Sequence, residues 1–135
     1  MRYLVKPELT DADLGPLFQA AWGDPGEGSY EPVLARSLTY VAAYHAAYHG
    51  ERLVGFVNVA WDGGIHAFLL DTTVHPEVQR RGIGRELVRR AAQEASALGC
   101  HWLHVDFEPH LEGFYHGCGF RATRAGLIDL TQRGA

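Results

Sequence analysis

Two glycines one residue apart, Gly82 and Gly84, lie in the stretch VHPEVQRRGIGRELV where an amphipathic helix begins. Each glycine lowers the stability of a helix by about 1 kcal/mol relative to alanine. A pair at this point therefore indicates that the backbone here needs a close approach or a conformation that a side chain would prevent. The preceding segment HAFLLDTTV is apolar at odd and even positions down to Asp71, which is typical of a strand covered on both faces. The sequence therefore predicts a buried strand, a tight glycine turn and a helix.

The rest of the chain predicts strands and helices around this unit. Thr10 or Asp11 caps a first helix, a second, shorter helix lies in residues 30–38, and Gly99 ends the helix that follows the glycine turn. That third helix has an apolar stripe of Leu87, Val88, Ala91, Ala95 and Leu98. The predicted strands are residues 2–7, 39–45, 53–61, 66–74, 101–108, 119–123 and 126–130, with a hairpin turn at His49-Gly50-Glu51, and a short helix spans 112–117. The order β-α-α-β-β-β-α-β-α-β-β predicts a single domain over residues 1–135, with an α/β fold in which helices pack on the faces of one mixed sheet.

Charge and composition exclude several classes of protein. The 12 basic and 16 acidic residues give a net charge of −4, which argues against nucleic acid as a partner. Cys100 and Cys118 have no metal-ligand or disulfide spacing, and His101 and His104, three apart on a strand, point to opposite faces. No secretory leader or membrane span is recognisable, so we expect a cytoplasmic protein without metal, nucleic acid or membrane as a partner.

The glycine turn combines the features of an anion-binding site. A loop entering a helix presents unpaired N–H groups at the positive end of the helix dipole. The turn lacks the GxxxxGK[ST] pattern of a P-loop, and Leu87 occupies the third glycine position of the dinucleotide fingerprint. Two interpretations stay open at this level: a phosphate cradle, or a plain strand-to-helix connection followed by a solvated arginine face.

Two spaced motifs favour the cradle. Residues 79–84, QRRGIG, fit Q/R-x-x-G-x-G/A, the acetyl-coenzyme A signature of the GCN5-related N-acetyltransferases, and residues 113–120, GFYHGCGF, resemble that family's FYxxxGF block. The resemblance covers essentially the whole chain, because the order of elements also matches. It implies the GNAT-type acyl-CoA N-acyltransferase fold: a mixed, mostly antiparallel central sheet with a splayed parallel pair of strands and helices on both faces.

The resemblance also implies a cosubstrate and its binding residues. In this family the pyrophosphate of acetyl-CoA binds the turn amides, here 81–85, and the pantetheine arm lies along the strand that ends at Val74. A splay between that strand and residues 101–108 opens the slot. The residues implied to bind the cosubstrate are Val74, His75, Gln79, Arg80, Arg81, Gly82, Ile83, Gly84, Arg85 and Tyr115.

The implied reaction is direct attack by a neutral amine of a small molecule or peptide on the thioester. The resemblance assigns the oxyanion donor to the backbone N–H near Val74 and the general acid for the departing thiolate to Tyr115. A phenol, with an ordinary pKa of about 10, carries its proton at neutral pH. The alternative role for Tyr115 is packing against the sulfur end of the cosubstrate.

Four further questions stay open in the sequence. The general base is not assigned by any motif; the candidates are Asp71, Glu108, His110, His116 or a water chain. Glu108 stands where many members carry an asparagine that contacts the cosubstrate, so that contact is in doubt. The resemblance places the acceptor pocket around residues 11–38 and allows a homodimer; scattered acidic groups there weakly favour a cationic substrate. A non-catalytic acyl-CoA-binding module is the alternative function.

Overall fold

The computed structural model describes residues 1–47 and 50–132, so His49 of the predicted hairpin turn lies outside the described residues. The chain divides into two compact units, Met1–Val105 and Asp106–Ala135. The first unit contains one sheet of five strands in the order β1-β2-β3-β4-β5, antiparallel except for the β4–β5 pair. Its elements are β1 (Arg2–Val5), α1 (Asp11–Trp22), α2 (Glu31–Arg36), β2 (Thr39–Ala47), β3 (Gly50–Trp61), β4 (His66–Val74), α3 (Ile83–Ala97) and β5 (Trp102–His104).

Local sequence signals account for the helix ends. The Asp13 carboxylate accepts a hydrogen bond from the Thr10 N–H at 2.8 Å, which secures the start of α1, as the sequence predicts. Gly23 ends α1 with φ 74°, and Gly99 follows α3 with φ 99° while donating to the Ser96 carbonyl. Helix α3 begins at Ile83, directly after Gly82, and buries the predicted stripe except for Leu98, which is the C-cap and is half exposed.

The sheet is covered on both faces, which confirms the predicted fold class. Helices α1 and α2 cover one face, where Leu14, Phe18 and Leu34 join a core cluster with Phe56. Helix α3 covers the other face with four fully or almost fully buried residues, Leu87, Val88, Ala91 and Ala95. The core thus consists of two apolar layers that hold β3 and β4 in fixed positions.

The first turns of α3 lie unusually close to the sheet at Gly55. A Cβ atom added there would lie 3.0 Å from Leu87 Cδ1, 3.1 Å from Ala43 Cβ and 3.2 Å from Ile83 Cγ2. Gly55 is also the register partner of Val74 at the end of β4. Because Gly55 has no side chain, the start of α3 can pack close to β3, beside the end of β4.

Replacement of Gly55 by alanine is expected to lower the free energy of unfolding by about 1–3 kcal/mol, because the added methyl overpacks the contact with α3. Urea unfolding measures the change. Gly15→Ala is the matched control: its Cβ would meet nothing within 4 Å inside α1, and we expect a gain of about 0.5–1 kcal/mol. If the Gly55 variant and the wild type have the same free energy of unfolding, the space between position 55 and α3 accommodates a methyl group without strain.

The parallel pair separates after three residue pairs. His66, Ala67 and Phe68 pair with residues 102–104 of β5, and among the described residues no strand pairs with 69–74 on that side of β4. The predicted strand over 101–108 is thus too long, since β5 ends at His104. The splay expected from the family resemblance is present in the first unit.

Two other expectations about strands are wrong. The burial of β4 alternates, with Ala67 and Leu69 buried but Phe68 and Leu70 about two-fifths exposed, so its second face is only partly covered. No strand forms at 119–123 or 126–130 within the described residues. Leu127, Ile128 and Leu130 are 84–90% exposed. Apolar content predicted these strands, but a strand also needs a backbone partner, which hydropathy cannot supply.

The second unit contains a single α-helix among its described residues, α4 (Glu112–Gly117), at the predicted position. Tyr115 is the buried residue of this helix. Its ring stacks on Phe107 with centroids 4.9 Å apart and meets Phe114 and Phe120 edge-on. The FYxxxGF block therefore forms a small aromatic cluster around Tyr115.

Candidate active site

The segment between β4 and α3 is built on backbone hydrogen bonds. The His75 N–H donates to the Val54 carbonyl at 2.7 Å, and the His75 Nδ1 accepts from the Glu77 N–H at 3.1 Å. The Gln79 side chain then reaches back to the Val74 carbonyl at 3.4 Å. These contacts tie the turn to the end of β4, so the signature residues follow the strand in a defined path.

The signature turn has the backbone shape of an anion cradle. Arg80 (φ 64°) and Gly82 (φ 80°) are both left-handed, and Gly82 is the N-cap of α3. Within residues 1–47 and 50–132, no N–H from Arg80 through Gly84 donates a hydrogen bond. Alternating backbone handedness turns successive N–H groups toward one side, and the helix dipole adds positive potential. The turn thus offers a set of unsatisfied donors to an anion.

Some of the arginines around the turn form ion pairs with Glu86, and others do not. Glu86 accepts hydrogen bonds from Arg89 at 2.6 Å and from Arg90 at 2.8 Å, and these bonds lower the pKa of its carboxyl to about 2. Arg80 and Arg81 are exposed and form no ion pair with any described residue. Arg89 and Arg90 therefore neutralise Glu86, whereas Arg80 and Arg81 keep their charge at the rim of the cradle.

A β-bulge near the middle of β4 turns Asp71 toward the α1–α2 side. The register passes from Phe56–Thr73 to Asn58–Leu70, which leaves one extra residue in β4, and Asp71 has φ 57°. Aspartate tolerates this left-handed conformation better than most residues. The Asp71 Oδ2 accepts a hydrogen bond of 2.7 Å from the Tyr30 hydroxyl.

Tyr30 is held from several directions. Its backbone N–H donates to the Asp11 carboxylate at 2.8 Å, and its ring meets Phe18 and Phe56 edge-on. Burial first, and then the hydrogen bond to Asp71, raise the pKa of Tyr30 far above its usual range. The phenol therefore keeps its proton and donates a hydrogen bond to the Asp71 carboxylate.

Asn58 lies beside Tyr30 in the sheet. The buried side chain of Asn58 is near enough to the Tyr30 hydroxyl to lower the pKa of that phenol slightly, and its Oδ1 accepts a hydrogen bond from Ser37 Oγ at 2.5 Å. Ser37 and Asn58 also line a cavity of about 290 Å³ between α2, β3 and β4. The other lining residues are Pro32, Val33, Arg36, Ala60 and Leu70. The cavity thus lies next to the Tyr30–Asp71 hydrogen bond, since Leu70 precedes Asp71 in β4.

The remaining acid–base candidates lie in the second unit. Glu108, His110 and His116 are all exposed there. Asp71 is the one candidate for the general base that lies in the first unit, next to a cavity-lining residue, Leu70.

No motif in the sequence marks Tyr30, Asn58 or Arg36, and their positions beside one another become visible only in the folded chain. The fold also brings together two histidines that lie far apart in the sequence. His66 Nδ1 and His104 Nε2 lie 2.8 Å apart on neighbouring strands, where one ring donates and the other accepts.

Among the described residues, no three His, Cys, Asp or Glu side chains form a group able to hold a metal ion. No described helix is long and apolar enough to cross a membrane.

Comparisons with known proteins agree with this architecture. The family model of the acetyltransferase (GNAT) family matches residues 10–120. An acetyltransferase of the GNAT family from Streptococcus pneumoniae TIGR4 superposes with a TM-score of 0.76 at 24% identity, covering 96% of this chain and 98% of that chain. A Bacillus subtilis acetyltransferase in complex with CoA superposes with a TM-score of 0.71 at 23% identity, covering 91% and 78%.

Curated relatives match over shorter segments. Glucosamine 6-phosphate N-acetyltransferase 1 from Oryza sativa subsp. japonica is 38% identical over 50 residues, which is 37% of this chain and 30% of the relative. The chain spans less than half the length of the curated relatives that it matches. The family model, by contrast, covers most of the chain and includes both motifs. The chain therefore belongs to the GNAT acetyltransferase family.

Proposed function

We propose that this protein is an N-acetyltransferase that transfers the acetyl group of acetyl-CoA to a primary amine of a small molecule. The observation that carries the proposal is the pairing of two features within the first unit. Within the described ranges, no N–H group of the turn at 80–84 donates a hydrogen bond, and the strand that leads into it has no strand partner on one side from Leu69 onward. A pyrophosphate fits the first feature and a pantetheine arm fits the second.

The binding residues follow from this placement. The backbone N–H groups of Arg81 to Arg85 bind the pyrophosphate, with Arg80 and Arg81 adding charge at the rim. The free edge of β4 pairs with the amide groups of the pantetheine arm as an added strand would, between Leu69 and Val74. His75 and Gln79 hold the turn in place through their hydrogen bonds to neighbouring backbone.

The chemical step is acyl transfer by direct attack. The amine nitrogen forms a bond to the carbonyl carbon, the Val74 N–H stabilises the oxyanion, and the C–S bond breaks as Tyr115 donates its proton to the sulfur. The base that takes the proton from the amine is one of Asp71, Glu108, His110, His116 or water. The family motif supports the role of Tyr115, and the burial of its ring among aromatic groups supports a fixed position. A cytoplasmic location, a single functional domain and a homodimer stay predictions.

The proposal is tested by incubating the full chain with acetyl-CoA and a panel of primary amines, including glucosamine 6-phosphate, the substrate in the name of one relative. Release of free thiol should depend on one or more amines and should exceed the background without amine at least 10-fold. Mass spectrometry should find one acetyl group on the amine. Thermal stabilisation by coenzyme A without any transfer would instead show a non-catalytic acyl-CoA-binding module.

A further inference from the structure

The cavity between α2, β3 and β4 combines an apolar lining with one cationic side chain. Pro32, Val33, Ala60 and Leu70 supply the apolar surface, and Arg36 supplies the charge. At about 290 Å³ the cavity lies at the lower end of the range for small-molecule sites, roughly 300–1,000 Å³. Its volume therefore accommodates a small amine.

Arg36 forms no ion pair with any residue that the structure describes. Its Nη1 donates a long hydrogen bond of 3.5 Å to the Pro32 carbonyl. Glu31, on the same helix, does not neutralise it. A guanidinium at a cavity wall presents a planar set of donors that suits a carboxylate or phosphate group.

The opposite charge lies beside the same cavity, in β4. Asp71 follows the lining residue Leu70, and its Oδ2 accepts a hydrogen bond of 2.7 Å from the Tyr30 hydroxyl, which lies beside the lining residue Asn58. The other oxygen, Oδ1, accepts no hydrogen bond from the described residues. This second oxygen can accept a hydrogen bond from an ammonium group.

We propose that the acceptor is a small primary amine that also carries an anionic group, with the anion bound by Arg36 and the ammonium group bound by Asp71. This inference rests on the proposed acetyltransferase function and names the substrate class of that same site. The apolar residues of the cavity contact the part of the substrate that joins the two charges. Recognition at two oppositely charged points excludes amines with only one of the two groups.

The experiment compares matched pairs of amines that differ only in the anion. The pairs are L-leucine and L-leucinamide, β-alanine and 3-aminopropanol, and O-phosphoethanolamine and ethanolamine. With acetyl-CoA saturating, the wild type should acetylate the anionic member of at least one pair with a kcat/KM at least 10-fold higher than that of its neutral partner. Whether the preferred pair carries a carboxylate or a phosphate identifies the anion.

Two variants separate the roles of the charged groups. Arg36→Gln should reduce the preference within the pair to about 2-fold or less, by raising KM for the anionic amine alone. Asp71→Asn, which retains an acceptor for Tyr30, should lower kcat/KM for both members by a similar factor of about 10 or more, since both carry the ammonium group. Arg2→Gln is the control, because it makes the same charge change at the far edge of the sheet, where Arg2 pairs with Glu51.

The outcomes distinguish this inference from the proposed function. Acetylation of neutral and anionic partners at equal rates, or an unchanged preference in Arg36→Gln, would overturn the substrate class and leave the acetyltransferase intact. Failure of every amine in this set and in the wider panel, with coenzyme A still bound, would overturn both.

Discussion

Replacement of Gly84 by glutamate is expected to abolish binding of coenzyme A. Gly84 is the second residue of α3, adjacent to the N–H groups that we assign to the pyrophosphate. A glutamate there adds bulk and a negative charge where the ligand carries its own, so attraction becomes repulsion. In a thermal shift experiment at a coenzyme A concentration of 100 times the wild-type Kd, the wild type gains about 2.7 kcal/mol and the variant should gain almost none.

The variant should fold, because a glutamate in the first turn of a helix interacts favourably with the helix dipole. Gly84→Ala is the matched control. The signature admits alanine at this position, and one methyl group brings no charge, so we expect most of the stabilisation by coenzyme A to remain. If coenzyme A stabilises Gly84→Glu as much as the wild type, the pyrophosphate binds elsewhere and the signature turn is only a connection.

Replacement of Tyr115 by phenylalanine is expected to lower kcat by about 10-fold or more, with little change in the affinity for acetyl-CoA. Phenylalanine keeps the ring stacked on Phe107 and in edge contact with Phe114 and Phe120, so the aromatic cluster is retained. The variant loses only the hydroxyl that we propose as the proton donor to the thiolate. Steady-state kinetics and the pH dependence of kcat measure the effect.

The pH dependence separates catalysis from packing. A general acid gives a loss of rate at high pH in the wild type, and this limb should change or disappear in Tyr115→Phe. Tyr44→Phe, which removes a hydroxyl from β2, is the control and should leave kcat unchanged. A wild-type rate and pH profile in Tyr115→Phe would assign Tyr115 to packing against the cosubstrate and would leave water as the proton source.

Local patterns predicted most helices and strands, for reasons visible in single residues. Thr10 and Asp13 specify the start of α1, and Gly82 and Gly99 bound α3. These signals act through neighbours in the chain, so sequence alone carries them. The failures lie at the sheet edges: β5 stops at His104 and the strands expected at 119–130 do not form. Strand length depends on how far a distant partner remains in register, and apolar content does not contain that information.

In the candidate site, too, contiguous residues could be predicted from the sequence and residues from separate elements could not. The signature residues 79–84 are contiguous, so their turn, their glycines and their arginines could be identified from spacing, and the left-handed backbone at Gly82 agrees with that expectation. The acceptor side is different. Tyr30, Asn58 and Asp71 come from three separate elements, and Arg36 from a fourth, so no spacing connects them.

By itself the sequence determined the order of the elements through β5 and α4, the glycine turn before α3 and the family to which the chain belongs. These are consequences of short-range preferences and contiguous motifs. Only the tertiary structure decided that β4 and β5 part after Phe68, that a bulge turns Asp71 toward Tyr30, and that Arg36 lines a cavity beside them. The physical reason is that register, bulges and cavities arise from the packing of segments far apart in the chain, and each is set by all of its neighbours together.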